Sequence, residues 1–305
     1  MPTLLVTGHS GFVGRTLFER IGELADPSRW QLVSLPDALD IRSAELAESV
    51  AALAPDAVLH LAALSNVDES FRDPDGCFDV NFRGTLNLLR ALRAAQFGGR
   101  MVYVSSGDCY GALPDALLPV TENTPLRPRS PYAVSKTAGE ALCYQWSQTD
   151  GLDIVIARPF NHLGPGQDAR FAIASFCQQI ARIQQGLAPP VLSIGNLDVT
   201  RDFTDVRDVL RGYFALLEHG RTGEAYNVAS GRETALREVI DMLLDIADVE
   251  ATIQSDPARQ RSAEQRRVVA NVAKVREHTG WSSRITLRET LSVTLDHWKR
   301  RIRDE

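Results

Sequence analysis

The sequence is short of cysteine, of long hydrophobic runs and of excess positive charge, and each shortage excludes a class of protein. Four widely spaced cysteines match neither a disulfide framework nor a metal-ligand motif, so we expect reduced thiols, no bound metal and a cytoplasmic location. No apolar run is long enough to span a membrane, and a strand begins so near the N-terminus that we expect no signal peptide. The net charge of −6 argues against a nucleic-acid partner, and the 305 residues predict one or two domains.

The N-terminus carries a short apolar strand that runs directly into a glycine-rich turn. The segment Thr3-Leu-Leu-Val-Thr7 is followed by Gly8-His-Ser-Gly11-Phe-Val-Gly14 and then by a helical pattern. Gly8 suits a tight turn, Gly11 lets the backbone approach a diphosphate, and Gly14 allows close packing of the helix on the strand. This context predicts a dinucleotide site. Because the spacing is Gly-x-x-Gly-x-x-Gly, a glycine turn without a ligand stays the alternative.

Tyr132 and Lys136 lie four residues apart in a segment with a helical pattern, so their side chains share one face. A nearby ammonium favours the phenolate, and we therefore expect Lys136 to lower the pKa of Tyr132 toward the working range. The Ser105-Ser106 pair, at the end of a separate strand, could hold a carbonyl oxygen against the phenol. These groups together predict proton transfer at a sugar or ketone oxygen. Alone, the spacing also fits an amphipathic helix with a packed tyrosine and a solvated lysine.

Strands and helices alternate along the chain. Apolar runs predict further strands at 31–35, 57–63, 100–104 and 153–157, with helices at 84–95 and 130–146. This alternation predicts a parallel sheet with helices on both faces, and ligands bind such sheets beyond the carboxyl ends of the strands. The residues at or just after predicted strand ends are Gly14, Ala63, Ser106 and Asn161. These four residues are therefore expected to lie together at the edge formed by the carboxyl ends of the strands, called the rim below.

Several spaced motifs, in order over the whole chain, carry a family resemblance. They are Gly8-x-x-Gly11-x-x-Gly14, His60-Leu-Ala-Ala63, Asn81, Ser105-Ser-Gly-Asp-Cys-Tyr-Gly111, Tyr132-x-x-x-Lys136 and Arg158-Pro-Phe-Asn161. Together they resemble an extended short-chain dehydrogenase/reductase that acts on a nucleotide-sugar. More narrowly, residues 158–167, 200–205, 256–259 and 263–266 resemble the GDP-4-keto-6-deoxy-D-mannose reductases, which make GDP-D-rhamnose for polysaccharide and lipopolysaccharide biosynthesis.

The resemblance implies an architecture. It implies an α/β fold with a doubly wound (Rossmann) parallel sheet of about seven strands and a smaller C-terminal substrate lobe. Residues 1–161 and 198–231 would form the NAD(P)-binding domain, and residues 162–197 and 232–305 the discontinuous nucleotide-sugar-binding lobe. Members of this family commonly pair through the helices after Asn81 and Tyr132, so a homodimer is expected.

The resemblance also assigns site residues. Tyr132 would protonate the new C4 oxygen, Lys136 would tune its pKa and bind the nicotinamide ribose, and Ser106 rather than Ser105 would supply the catalytic hydroxyl. The other implied cofactor contacts are Gly8, Ser10, Gly11, Phe12, Val13, Gly14, Asp40, Ile41, Leu61, Ala62, Ala63 and Pro159. The implied substrate contacts are Ser65, Ser106, Asp108, Asn161, Arg201, Arg261 and Glu264.

Some assigned residues have a structural alternative. Asp40 could simply begin the turn Asp40-Ile-Arg42, and Arg201 and Arg261 could be surface ion-pair residues. His162 could line the pocket or only pack. Four other polar residues are expected to support the structure. His60 is expected to pack and Asn81 to buttress the active-site backbone. Asp205 and Asp208 are expected to be turn and helix-start residues.

Asp108 bears on the type of reaction. Sugar 4,6-dehydratases that resemble this chain place a glutamate base at this position, often preceded by an aspartate where this chain has Gly107. Simple reduction is therefore favoured over dehydration. Dehydration stays an alternative, as do C4 epimerisation, which uses the same triad, and reduction to GDP-6-deoxy-D-talose. The motifs leave open the nucleotide base, the C4 stereochemistry and a heptose substrate.

The choice between NADPH and NADH rests on few residues. A carboxylate at the end of the second strand selects NAD, whereas arginine there accommodates NADP. This chain has Leu35-Pro36 at that point and Asp37 just beyond. His9 and Arg15 could meet a 2′-phosphate or lie on the helix surface. NADPH is favoured, and NADH is allowed.

Overall fold

The computed structural model describes residues 1–24, 29–256 and 265–304, and its strands are short. They are β1 (Thr3–Thr7), β2 (Gln31–Ser34), β3 (Ala57–His60), β4 (Arg100–Val104), β5 (Asp153–Pro159), β6 (Asn161–Leu163), β7 (Val191–Ile194), β8 (Thr200–Asp205), β9 (Ala225–Val228), β10 (Glu233–Ala235) and β11 (Thr252–Ser255). Most strands are followed by a helix, as the alternating pattern predicts.

The helices vary from one turn to five. They are α1 (Phe12–Leu24), α2 (Leu46–Leu53), α3 (Val67–Arg72), α4 (Pro74–Phe78), α5 (Thr85–Ala94), α6 (Pro131–Thr149), α7 (Ala172–Gln184), α8 (Val206–His219), α9 (Leu236–Ala247), α10 (Ala273–Thr279) and α11 (Leu287–Arg303). A π-helical turn spans Asp79–Gly84, and 3₁₀ turns span Gly107–Tyr110 and Asp115–Leu117. In the described part of the chain, no helix combines the length and apolarity needed to cross a bilayer.

Six parallel strands form the main sheet, in the order β2-β1-β3-β4-β5-β9. This arrangement confirms the doubly wound α/β fold. The described residues supply six strands where about seven are expected, because the chain after β2 turns at residues 37–45 into α2 without pairing to the sheet again. The strand order reverses between β1 and β3, which is where sheets of this kind bind ligands.

Alternate residues of each strand face two layers of helices. In β1, Leu4 and Val6 lie in the core formed with α1 and α8, whereas Leu5 lies in the core formed with α2, α5 and α6. Both faces of the sheet are therefore buried, as parallel sheets require. The loops and polar side chains of the site therefore lie at the carboxyl ends of the strands.

A third hydrophobic core joins α7, α9 and α11 to two small sheets, β11–β7 and β10–β8–β6. Trp298 of α11 and Phe176 of α7 are buried in it. The lobe boundaries at 162–197 and 232–305 stay a prediction. Within the second of these ranges, Val275 and Trp281 pack in the core of the main sheet.

Candidate active site

The glycine turn forms a cradle of bare backbone. Gly8 has a φ of +73°, and a Cβ there would lie 2.7 Å from the backbone nitrogen of Ala62. A Cβ on Gly14 would lie 2.5 Å from the carbonyl oxygen of Gly8. Helix α1 therefore begins directly against the ends of β1 and β3. A helix N-terminus approached through side-chain-free backbone fits the diphosphate of a dinucleotide.

The remaining predicted cofactor contacts follow the carboxyl ends of four strands. Ser10, Phe12 and Val13 belong to the glycine turn and the first turn of α1, Ile41 follows β2, Leu61, Ala62 and Ala63 follow β3, and Pro159 ends β5. Ile41 differs from the others because it packs in the core with α2 and α5. Their contacts with a cofactor stay predictions.

His60, at the end of β3, is a buried packing residue. The Thr85 hydroxyl donates to the carbonyl oxygen of Asn81 at 2.6 Å, so it accepts from His60 Nε2 at 2.9 Å. The Nδ1 of His60 then accepts from the Thr7 hydroxyl at 2.7 Å. Burial lowers the pKa of His60 to about 3, so the ring is neutral at pH 7. The expectation that His60 packs is confirmed.

Asn81 supports the active-site backbone from the π-helical turn. Its amide group accepts from the Leu64 nitrogen at 2.8 Å and donates to the Leu64 oxygen at 3.1 Å. It also donates to the Ser135 hydroxyl at 2.9 Å, which donates to the carbonyl oxygen of Tyr132 at 2.7 Å. The expected buttressing role is confirmed. Asn81 links the loop after β3 to the helix that carries Tyr132.

The three predicted catalytic side chains meet at the carboxyl end of β4. Ser106, Tyr132 and Lys136 are buried, with 9%, 8% and 2% of their surfaces exposed. Ser106 begins the turn Gly107–Tyr110, and its hydroxyl accepts from the Asp108 amide at 3.1 Å. Tyr132 and Lys136 lie on α6, one helical turn apart. Two different elements thus deliver a hydroxyl, a phenol and an ammonium to one place.

Burial dominates the pKa values of both groups on α6. It raises the pKa of Tyr132 above its usual 10, the charge of Asp108 raises it further, and the hydrogen bond with Ser106 opposes the rise. The net shift is therefore upward, opposite to the direction expected from Lys136, because desolvation of the buried phenolate is its largest cause. Burial also lowers the pKa of Lys136 to about 8. A phenol that stays protonated at neutral pH is suited to donate its proton.

Tyr103 of β4 holds Lys136 in place. The Nζ of Lys136 lies 4.8 Å from the centroid of the Tyr103 ring, and the Tyr103 hydroxyl donates to the Lys136 carbonyl oxygen at 3.3 Å. A Cβ at Gly139 would lie 2.1 Å from that hydroxyl oxygen, so α6 can cross Tyr103 this closely only at a glycine. The ring positions the ammonium through a cation–π contact without neutralising its charge.

The sequence did not predict a buried ion pair between β5 and α6. Arg158 of β5 donates to Glu140 of α6 through both Nε and a terminal nitrogen, and their side chains are 8% and 6% exposed. The available signal was the position of Glu140, four residues after Lys136 and so on the helix face already assigned to the site.

The residues considered for cofactor selection are paired with protein groups. Hydrogen bonds from the side chain and backbone of Arg42 lower the pKa of Asp40 to about 2. The carbonyl oxygen of Asp40 accepts from the Ser43 amide at 2.8 Å, so Asp40 begins a turn, and its contact with a cofactor stays a prediction. His9 Nε2 lies 2.8 Å from a carboxylate oxygen of Asp37. Arg15 donates to a carbonyl oxygen of the glycine turn at 2.6 Å. His9 and Asp37 therefore face each other just beyond β2.

The predicted substrate contacts are spread along the rim. Ser65, Asp108 and Asn161 are exposed after the ends of β3, β4 and β5. Arg201 of β8 is half-buried and donates to two backbone carbonyl oxygens at 2.7 and 2.8 Å. Two further predicted contacts lie outside the described residues, namely Arg261 and Glu264. The substrate roles of all these residues stay predictions.

Three other polar residues near the rim have structural contacts. His162 stacks on the ring of Phe12 at 6.2 Å and bonds to the carbonyl oxygen of Phe160 at 2.9 Å, while burial lowers its pKa. Asp205 caps α8 by accepting from the second amide of that helix at 2.8 Å. Asp208 accepts from two backbone amides, each at 2.7 Å. The structural expectation for Asp205 is confirmed.

Comparison with known proteins connects this geometry to a family. A family model described as GDP-mannose 4,6 dehydratase matches residues 36–294. The chain belongs to this family. The family is one of extended short-chain dehydrogenases/reductases, as the resemblance implies. The chain is 48% identical over 302 residues to GDP-6-deoxy-D-mannose reductase of Pseudomonas aeruginosa, a match that covers 99% of each sequence.

Solved structures and more distant relatives agree with this membership. The structure of RMD from Pseudomonas aeruginosa complexed with NADPH matches with a TM-score of 0.92 at 47% identity, over 99% of this chain and 100% of that chain. A UDP-glucose 4-epimerase of Thermus thermophilus in complex with NAD matches with a TM-score of 0.85 at 29% identity, over 97% and 99%. A dTDP-glucose 4,6-dehydratase of Streptomyces antibioticus is 31% identical over 319 residues, a match that covers 97% of this chain and 92% of that relative.

Proposed function

We propose that the protein reduces the 4-keto group of GDP-4-keto-6-deoxy-D-mannose with NADPH and forms GDP-D-rhamnose. The observation that carries the proposal is the meeting of Ser106, Tyr132 and Lys136 on the rim that also holds the glycine cradle. The 48% identity to a GDP-6-deoxy-D-mannose reductase supports the same substrate class and reaction.

The turn after β4 supports reduction rather than dehydration. Sugar 4,6-dehydratases often have an aspartate directly before their base, and this chain has Gly107 there. A Cβ at Gly107 would lie 3.0 Å from the ring of Phe160, so a side chain at this position would have to displace that ring. Asp108 is exposed and one methylene shorter than a glutamate base, which places its carboxylate farther from a C5 proton.

The glycine cradle and the loop after β3 would hold the cofactor. Gly8, Gly11 and Gly14 provide the backbone surface for its diphosphate, and Ala62 and Ala63 line the adjacent strand end. When bound, NADPH supplies the hydride for the carbonyl carbon. The NADPH complex of the 47% identical structure supports NADPH over NADH. His9 and Asp37 are the groups placed to influence that choice.

The chain's own groups would then complete the reduction. Tyr132 donates its proton to the developing C4 oxyanion, and the Ser106 hydroxyl hydrogen-bonds to the same oxygen. Lys136, whose pKa is about 8, is protonated at pH 7 and stabilises the phenolate that Tyr132 leaves behind. Burial of all three side chains excludes water and strengthens these interactions.

The assembly and location are part of the same proposal. We expect the lobe at 162–197 and 232–305 to bind the GDP moiety, and two copies to pair through α5 and α6 in the cytoplasm. On α6, the helix proposed for pairing, Val134 and Tyr144 are 39% and 54% exposed. An open surface depression of about 460 Å³ is lined by Arg90, Arg93 and Ala94 of α5 and by Trp146 of α6.

A cofactor-oxidation assay tests the reaction. Purified protein, GDP-4-keto-6-deoxy-D-mannose and either NADPH or NADH are mixed, and absorbance at 340 nm is followed. We expect one cofactor oxidised per sugar, with NADPH preferred, and NMR of the product should show the D-rhamno configuration at C4. Tyr132→Phe should reduce the rate by about 10²–10⁴-fold. Tyr213→Phe, which removes a buried hydroxyl without a hydrogen-bond partner among the described residues, should leave it unchanged.

Two results would contradict the proposal. Absence of oxidation with both cofactors, together with conversion of GDP-mannose to a 4-keto sugar, would show a dehydratase. Interconversion of C4 epimers without net cofactor consumption would show an epimerase. A D-talo product would keep the reaction type and overturn the stereochemistry.

A further inference from the structure

A buried polar cluster joins the elements that carry the three predicted catalytic side chains. Arg158 donates to Glu140 at 2.9 and 2.6 Å, and to the Tyr110 hydroxyl at 2.9 Å. The Tyr110 hydroxyl in turn donates to the side-chain oxygen of Asn227 at 2.7 Å. The guanidinium also lies 5.0 Å from the centroid of the Tyr110 ring. Every contact is buried and directional.

Each member of this cluster belongs to a different element of the site. Glu140 lies on α6, one helical turn after Lys136. Tyr110 ends the 3₁₀ turn that Ser106 begins. Arg158 lies on β5 directly before Pro159, which is a predicted cofactor contact. Through Glu140, Arg158 and Tyr110, the Ser106 turn is connected to the helix that carries Tyr132 and Lys136.

The cluster is poorly explained as a source of stability. Removing two charges from water costs several kcal/mol, and hydrophobic pairs of similar volume are often as stable as buried ion pairs. A bidentate arginine–carboxylate contact does, however, restrict the relative position of the two groups, because both are planar. Here that restriction acts between β5 and α6, and the Tyr110 hydroxyl extends it to the turn.

We propose that Glu140, Arg158 and Tyr110 are positioning residues that set the Ser106 hydroxyl against the Tyr132 phenol. This inference rests on the proposed reduction, in which both groups bind the same oxygen. The Tyr110 hydroxyl accepts from one neighbour and donates to another, so its orientation is determined. Tyr110 lies four residues after Ser106 in one short turn, and a shift at either end moves the other.

The sharpest variant is Tyr110→Phe, which removes the two hydrogen bonds of the hydroxyl and keeps both the ring contact and the Glu140–Arg158 pair. The matched control is Tyr213→Phe, because Tyr213 is 1% exposed and its hydroxyl has no hydrogen-bond partner among the described residues. A second variant, Glu140→Leu with Arg158→Met, removes both charges together and avoids an unpaired buried charge.

For each protein we would measure kcat, KM for the keto sugar, Kd for NADPH by fluorescence titration, and the melting temperature. We expect Tyr110→Phe to lower kcat at least about tenfold, since displacements of an ångström cost up to about a hundredfold. Its Kd for NADPH should stay within twofold of the wild-type value, because the glycine cradle lies on other elements. The double variant should show the same loss of kcat, and Tyr213→Phe should show none.

The outcomes separate the two proposals. An active wild type with equally active Tyr110→Phe and double variants would overturn the positioning role and leave the reductase assignment in place. A parallel loss of kcat and NADPH affinity would also overturn it, because general damage to the fold would then explain the result. An inactive wild type would overturn the proposed reduction and, with it, this inference.

Discussion

Two glycines on α1 provide a controlled test of the cradle. Gly14 and Gly22 both lie within the helix, and neither has a positive φ. They differ in their surroundings, because a Cβ on Gly14 would lie 2.5 Å from the Gly8 carbonyl oxygen, whereas a Cβ on Gly22 has no atom within 4 Å. The perturbation is the same in each case, a change to alanine.

The expected effects have opposite signs. Alanine favours a helix over glycine by about 0.5–1 kcal/mol, so Gly22→Ala should stabilise the protein by that amount. Gly14→Ala receives the same benefit but forces backbone away from backbone, since all three nearest atoms belong to the main chain of Gly8 and His9. Overpacking costs about 1–3 kcal/mol, and the upper half of that range applies because backbone must move; after the helix benefit, a net loss of about 1–2 kcal/mol is expected. The displaced helix start should also weaken NADPH binding by about tenfold, or 1.4 kcal/mol.

Urea unfolding followed by circular dichroism measures the first effect, and fluorescence titration with NADPH measures the second. The wild type and Gly22→Ala should bind NADPH equally well. The reasoning would be refuted if Gly14→Ala unfolded at the same urea concentration as Gly22→Ala and bound NADPH with unchanged affinity. If both variants lost stability, the expected helix-propensity benefit of alanine at Gly22 would be wrong, while the close-approach argument at Gly14 would stand.

Further predictions concern acid stability, cofactor choice and backbone support. Because the pKa of His60 is about 3 when folded and 6.5 when exposed, only the unfolded chain gains a proton as the pH falls below 6.5. Wild-type stability should therefore fall by about 2 kcal/mol from this residue between pH 6.5 and 5, and urea titrations of His60→Gln should lack that part of the slope. Asp37→Asn should raise the ratio of NADPH affinity to NADH affinity by about two- to fivefold, as expected for one exposed charge, and His9→Ala should lower this ratio. If both variants kept the wild-type ratio, this pair would have no role in cofactor selection. Asn81→Ala should lower kcat at least about tenfold by releasing the loop after β3, and a kcat equal to wild type would show that catalysis does not depend on this support.

Much of the site can be predicted from the sequence because its parts are local. The strand–turn–helix order around Gly8 and Gly14 requires only short-range geometry, and the four-residue spacing of Tyr132 and Lys136 places both on one helix face. The parallel sheet follows from alternation of strands and helices, and parallel strands bring their carboxyl ends to one edge. For these features, neighbouring residues carry all the information that is needed.

Other features depend on contacts between distant parts of the chain. The raised pKa of Tyr132 follows from burial against the β4 turn, and its direction is the opposite of the one expected from Lys136 alone. The Glu140–Arg158 pair and the His9–Asp37 contact join residues 18 and 28 positions apart, so no local pattern indicates them. Local spacing therefore specifies which groups are available and on which rim they lie. Packing of the sheet against α6 specifies how those groups are charged and held, because desolvation and long-range hydrogen bonds exist only in the folded protein.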